Sequence, residues 1–284
     1  MERAPITAGL DGSPESLAAA HWAAAEADRR GLALRLLHAW ILLVPEPEGV
    51  PIEQDQDYWA KRIVHAAQAE IHQRFPSLAI VEDLVAEEPA QALLRAADES
   101  AMVVLGSRGL DRLQSFFLGD VGLHVAGRAG RPVVLVRAGA APEDGGVVLG
   151  AGLHRPCDEL YDFAFGAAAA RGAPLRVVHG HPLPVQAYAP WGVDPEVAGD
   201  LLQNAQLELR AVLRPWCLAY PDVTVTDSVR LESPARAVVD AAQGAALLVV
   251  GRRRHRPALT PRLGPVAQAG AHHAPCPMAV VPHD

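Results

Sequence analysis

Cysteine is scarce in this chain: 284 residues contain only Cys157, Cys217 and Cys276. They stand far apart and form no C-x-x-C pair, which fits a reducing cytoplasm better than a disulfide scaffold. Aromatic residues are few, at 5%, while alanine is abundant, a composition suited to tight helix-on-sheet packing. No run approaches the ~18 apolar residues of a membrane span. The opening Met1-Glu2-Arg3-Ala4-Pro5 passes almost at once into a strand and lacks the apolar core of a signal peptide. Positive charge is in deficit, with 25 Lys and Arg against 33 Asp and Glu and a net charge of −8. That balance argues against a nucleic-acid surface. The expectation is a cytoplasmic protein with no nucleic-acid and no membrane partner.

Several chemistries also lack their residues. Ser13, Ser107 and Ser233 sit in no Gly-x-Ser-x-Gly elbow, so hydrolase chemistry has no support. No paired carboxylates suggest acid–base work, and no residue pair is placed to activate water. His272, His273, Cys276 and His283 lack the C-x2-4-C or H-x3-5-H spacing of a zinc site, and no metal is assigned to them.

What is present is a duplication. RGLALRLLHAW (30–40) matches RGAPLRVVHGH (171–181), an offset of 171 − 30 = 141. EPAQALLRAADESAMVVLGSRG (88–109) matches SPARAVVDAAQGAALLVVGRRR (233–254), and RPVVLVR (131–137) matches CPMAVVP (276–282). Both of these offsets are 145 (233 − 88 and 276 − 131). One ordered duplication with a four-residue insertion accounts for all three. The small, turn-prone segment 138–146 separates the copies, giving expected domains of 1–140 and 146–284.

Each copy alternates strand and helix. In the first, Pro5–Leu10, Leu32–Ala39, Leu78–Val85, Ala101–Gly106 and Pro132–Arg137 read as strands. Helices are expected from Ser13, as N-cap before Pro14, to about Arg30, then over Asp55–Phe75, Pro89–Asp98 and Val121–Ala129. Such alternation implies an α/β fold: two tandem Rossmann-like domains, each a mostly parallel five-stranded sheet with helices on both faces. Ligands of such sheets bind beyond the carboxyl ends of the strands at the topological switch point. Asp11 and Gly106 lie at two such ends and are expected to share a cleft.

The stretch LGSRGLDRLQSFFLGD (105–120) carries glycines at 106, 109 and 119 between a buried strand and a helix start. It is neither a Walker loop nor a G-x-G-x-x-G fingerprint. It has the parts of a phosphate cradle, and equally those of a tight turn.

The paired motifs Gly9-Leu10-Asp11-Gly12-Ser13 and Gly106-x2-Gly109-x9-Gly119 resemble those of the universal stress protein family, and the doubled architecture resembles its tandem members. The resemblance implies an adenine nucleotide, usually ATP, over the strand ends and a regulatory or sensor role. It places Asp11 on the adenine or ribose side, Ala39 at the base, and Leu105 and Gly106 near the ribose. Arg108, Gly109 and Gly119 would surround the phosphates, joined by the N–H of Val121. A turn that caps the next helix is the other reading of Asp11.

Asp120 stands where the family has Ser or Thr. A carboxylate cannot donate to phosphate, so Asp120 either fills the anion site itself or repels a terminal phosphate, favouring ADP or AMP over ATP. A bridging Mg2+ is a third reading. The second copy departs further: Gly152 stands opposite Asp11, Arg254 replaces the second glycine and Pro265 removes an N–H. It is not expected to bind ATP in the family manner. The run Arg252–Arg256 reads as a solvated basic loop or as an anion or acidic-partner site. The loops 40–54 and 180–193 read as flaps, subunit contacts or intradomain packing. By resemblance to family dimers, Pro132–Arg137 and Cys276–Val281 are the expected pairing strands, and a homodimer is a further expectation. The competing class is a nucleotide-free scaffold acting through an unknown regulatory protein partner. A slow ATPase ranks last.

Overall fold

The structure, a computed structural model, describes residues 3–41, 56–107, 121–139, 145–153, 157–182, 188–189, 192–193, 195–255 and 262–284. The chain forms two compact units, Met1–Ala140 and Ala141–Asp284.

In the first unit, strands β1 (Ile6–Leu10), β2 (Leu34–Trp40), β3 (Ile80–Ala86), β4 (Met102–Gly106) and β5 (Val133–Val136) run parallel in the order β5-β4-β1-β2-β3. Helices α1 (Pro14–Arg30) and α2 (Gln56–Arg74) pack on one face, and α3 (Pro89–Asp98) and α4 (Val121–Ala126) on the other. β4 and β5 are apolar and almost wholly buried, as strands covered on both faces must be. The alanines explain how closely the layers approach. Ala19, Ala20, Ala23, Ala24 and Ala27 of α1 are all fully buried, so a nearly flat helix face lies on the sheet. α1 starts and stops by local chemistry. The Ser13 hydroxyl accepts from the N–H of Ser16, Pro14 occupies the first turn, and Gly31 ends the helix in the left-handed conformation (φ 61°).

The second unit repeats the plan. Strands β6 (Val147–Gly150), β7 (Leu175–Gly180), β10 (Val225–Arg230), β11 (Leu247–Arg253) and β12 (Met278–His283) run parallel in the order β10-β7-β6-β11-β12. Helices α5 (Asp158–Arg171) and α6 (Pro195–Ala219) lie on one face, α7 (Pro234–Ala241) and α8 (Pro265–His273) on the other. A two-residue pairing of β8 (Tyr188–Ala189) with β9 (Gly192–Val193) is added between β7 and α6.

The register locates the insertion. Ile6 pairs with Leu34 and Val147 with Leu175, both displaced by 141 (147 − 6, 175 − 34). Leu34 then pairs with Ile80, whereas Leu175 pairs with Val225, displaced by 225 − 80 = 145. The four extra residues therefore fall between the second and third strands of the second unit, where α6 runs to 25 residues against 19 in α2.

The expected bounds of the first unit's strands hold to within two residues, and two places depart further from expectation. The last helix of the first unit stops at Ala126 rather than Ala129. β11 continues past Gly251 to Arg253, paired with β12 through Arg253 and His283. The basic run is thus solvated in part, with Arg253, Arg254 and His255 exposed. Arg252 is buried in the strand, and the Arg254 guanidinium lies 3.6 Å from carboxylate oxygens of both Glu159 and Asp284. Arg256 lies outside the described residues.

Candidate functional site

In the first unit the chain reverses its direction of travel across the sheet between β1 and β4. β2 and β3 are added on one side of β1, β4 and β5 on the other. The helices that follow β1 and β4, α1 and α4, lie on opposite faces of the sheet, and a crevice opens at the carboxyl ends of the two strands. A cavity of about 190 Å3 lies there, lined by Gly9, Leu10, Asp11, Ser16, Leu37, Ala39, Pro89, Leu93, Leu105, Gly106, Val121 and Gly122.

Five residues singled out from sequence, Asp11, Ala39, Leu105, Gly106 and Val121, share this cavity. The other four, Arg108, Gly109, Gly119 and Asp120, lie outside the described residues. Ser16, Leu37, Pro89, Leu93 and Gly122 also line the cavity and were not expected from the sequence. Pro89 and Leu93 stand four apart on α3 and so face the same way, a signal readable in the sequence. Leu37 precedes Ala39 by two on β2, again one face. Ser16 had no distinguishing signal.

The cavity has an apolar wall and a polar corner. Leu37, Leu93 and Leu105 are nearly fully buried and offer a surface for a flat apolar ring. The corner is built by the turn from β1 into α1. The Asp11 carboxylate accepts from the Ser13 N–H at 2.9 Å and from the Ser13 hydroxyl at 2.5 Å. The Ser13 hydroxyl oxygen accepts from the Ser16 N–H at 3.1 Å. The Ser16 hydroxyl donates to the Ser13 carbonyl at 2.9 Å and accepts from the Asp11 N–H at 3.3 Å. Gly12, at φ 79°, supplies the left-handed residue that this tight turn needs. Asp11 is thus both a cavity residue and the residue that holds Ser13, the N-cap of α1, in place.

Gly106 is fixed by backbone contact. A Cβ there would lie 2.6 Å from the carbonyl carbon of Glu15 and 2.7 Å from the nitrogen of Ser16. The first turn of α1 sits directly on β4, which carries Ser16 to the cavity edge.

The corresponding place in the second unit is built differently. α5 begins at Asp158, the counterpart of Leu17 (158 − 141), so the first turn of α1 has no equivalent in α5. A Cβ at Gly251 would meet the Nε2 of His283 at 2.7 Å. The imidazole of a residue at the end of β12 covers this glycine where a helix turn covers Gly106. Nearby, Cys157 is buried and its thiol pKa is pushed up to about 11, first by desolvation and then by Glu159. That keeps it a thiol at neutral pH.

His272 and His273 meet ring edge to face at 6.3 Å. Among the described residues no group of three or more His, Cys, Asp or Glu side chains is placed to hold a metal ion. No helix among them is long and apolar enough to cross a membrane. Most of the two Pro-rich loops lies outside the described residues.

Comparison with known proteins agrees with this architecture. The universal stress protein family model matches residues 2–137 and again residues 147–282. A universal stress protein of Mycobacterium tuberculosis H37Rv is 32% identical over 289 residues, covering 97% of this chain and 96% of its own. Another from M. tuberculosis CDC 1551 is 28% identical over 98% of this chain and 96% of its own. Among solved structures, a universal stress protein from Archaeoglobus fulgidus superposes over 100% of both chains with a TM-score of 0.67 at 15% identity, a likeness of fold. Two family matches in tandem, on two units of the same strand order, lead to one conclusion: the chain belongs to the universal stress protein family.

Proposed function

We propose that the first unit binds an adenine nucleotide in the strand-end cavity, and that the protein acts as a nucleotide-responsive regulator rather than as an enzyme. One observation carries this reading: Asp11, Ala39, Leu105 and Gly106, from three different strand ends, line a single crevice at the switch point. Apolar Leu37, Leu93 and Leu105 suit the faces of an adenine ring. The Asp11 carboxylate suits ribose hydroxyls, which are hydrogen-bond donors. The second unit serves as a structural partner, since Gly152 supplies no carboxylate where Asp11 stands.

ATP is the nucleotide put forward, with ADP and AMP as the competitors that Asp120 would favour and Mg2+ as the ion that would offset its charge. Calorimetric titration with ATP, ADP and AMP, with and without Mg2+, tests the choice. Asp120→Ser is expected to tighten ATP more than AMP. Absence of binding by all three would refute the reading. The bonds from Ser13 to the Asp11 carboxylate favour a second reading, in which Asp11 only holds the turn that presents Ser13 as the cap of α1, and the protein is a nucleotide-free scaffold. In that case Asp11→Ala changes stability and no ligand affinity.

A further inference from the structure

Residues 39 and 180 occupy the same place in the two units (180 − 39 = 141). Ala39 near the end of β2 pairs with Val85, and Gly180 at the end of β7 pairs with Arg230, in matching register. The helix facing each begins with a proline, Pro89 in α3 and Pro234 in α7 (234 − 89 = 145). The surroundings differ sharply. Ala39 is half-buried and lines the cavity together with Pro89. Gly180 is buried. A Cβ on it would lie 2.5 Å from the Cα of Pro234, 2.7 Å from the Pro234 nitrogen and 3.1 Å from the carbonyl carbon of Ser233. The α7 backbone therefore rests on β7 at a distance that only a glycine allows.

We propose that Ala39 is a spacer that determines which unit accepts a nucleotide. Its methyl group holds the first turn of α3 off β2 and keeps open the slot for the base. In the second unit the missing methyl lets the first turn of α7 settle onto the strand and close the equivalent slot. The contacts at Gly180 are to backbone, so the closure cannot be relieved by a side chain turning aside; α7 itself would have to withdraw. The proposal rests on the reading that the cavity takes an adenine nucleotide, but its geometric content does not need one.

The test uses the full chain carrying Ala39→Gly, Ala39→Ser or Gly180→Ala, each checked for cooperative urea unfolding, titrated with ATP and crystallised without nucleotide. In Ala39→Gly, α3 moves toward β2 and ATP affinity falls at least about tenfold. In Ala39→Ser, which keeps a Cβ, α3 stays where it is in the parent. In Gly180→Ala, α7 moves away from β7; if that variant does not fold, the two Ala39 variants decide. An α3 that stays in place in folded Ala39→Gly overturns the spacer, whatever the affinity. Should the unaltered protein take no ATP, the nucleotide reading fails, and the spacer still stands or falls on the position of α3.

Discussion

The Nδ1 of His38 lies 2.8 Å from the carbonyl oxygen of Leu10, and in the second unit the Nδ1 of His179 lies 2.9 Å from that of Ala151. The pairs are copies (179 − 38 = 141 and 151 − 10 = 141). A carbonyl only accepts, so Nδ1 carries the proton in both. Each bond ties the end of the second strand to the residue at which the first strand turns toward its helix. In the first unit that tie holds the backbone just ahead of Asp11.

The duplication supplies an internal control. His38→Ala and His179→Ala should each cost about 1 kcal/mol, the usual net value of one hydrogen bond, as measured by urea unfolding. Only His38→Ala should also weaken ATP, because only the first unit presents a carboxylate beyond the tie. Equal affinity in the two variants would separate the bond from the site.

Gly106 and Gly152 make a second contrast. Gly106→Ala drives a methyl group into the backbone of Glu15 and Ser16 and should destabilise by roughly 1–3 kcal/mol, the usual cost of overpacking. Gly152 has nothing within 4 Å of its would-be Cβ. Gly152→Ala should stay within about 0.5 kcal/mol of the parent. A harmless Gly106→Ala would show that α1 does not bear on β4.

The strand–helix order, the two-domain plan and the place of the cleft were legible in the sequence, because buried parallel strands are short apolar runs and their order fixes the switch point. Ser13, Pro14 and Gly31 marked the limits of α1 through local chemistry. The fate of the second cleft was not legible. Its form depends on how closely Pro234 approaches Gly180 and on His283 covering Gly251, and these are distances between residues far apart in the chain. The basic run was legible in part: Arg253, Arg254 and His255 are exposed, whereas the burial of Arg252 depends on the pairing of β11 with β12, which the local sequence does not show.

Tyr161 offers a stabilising substitution. It is 1% exposed, its ring stacks on Trp216 at 6.0 Å, and its hydroxyl has no hydrogen-bond partner among the described residues. Tyr161→Phe keeps the stacking and removes a buried unpaired hydroxyl, and should raise stability by about 1 kcal/mol. Burial and the neighbouring Cys157 raise the phenol pKa. The unfolded chain therefore ionises first, and stability falls as pH rises above about 10. Tyr161→Phe should lessen that alkaline loss. The Cys157 thiol, pushed up to about 11 from 9.0, should add a separate decline between those values, which Cys157→Ala removes. Urea midpoints from pH 7 to 11 measure both, and unchanged alkaline slopes would contradict them.

The central claim is that one unit of two holds an adenine nucleotide through a cavity whose polar corner is Asp11. Equilibrium dialysis of the full chain against labelled ATP, alongside Asp11→Ala, measures it directly. The account predicts saturation at one ATP per chain, lost in a folded Asp11→Ala. Two equal sites, no site, or an Asp11→Ala variant that binds as the parent does would contradict it.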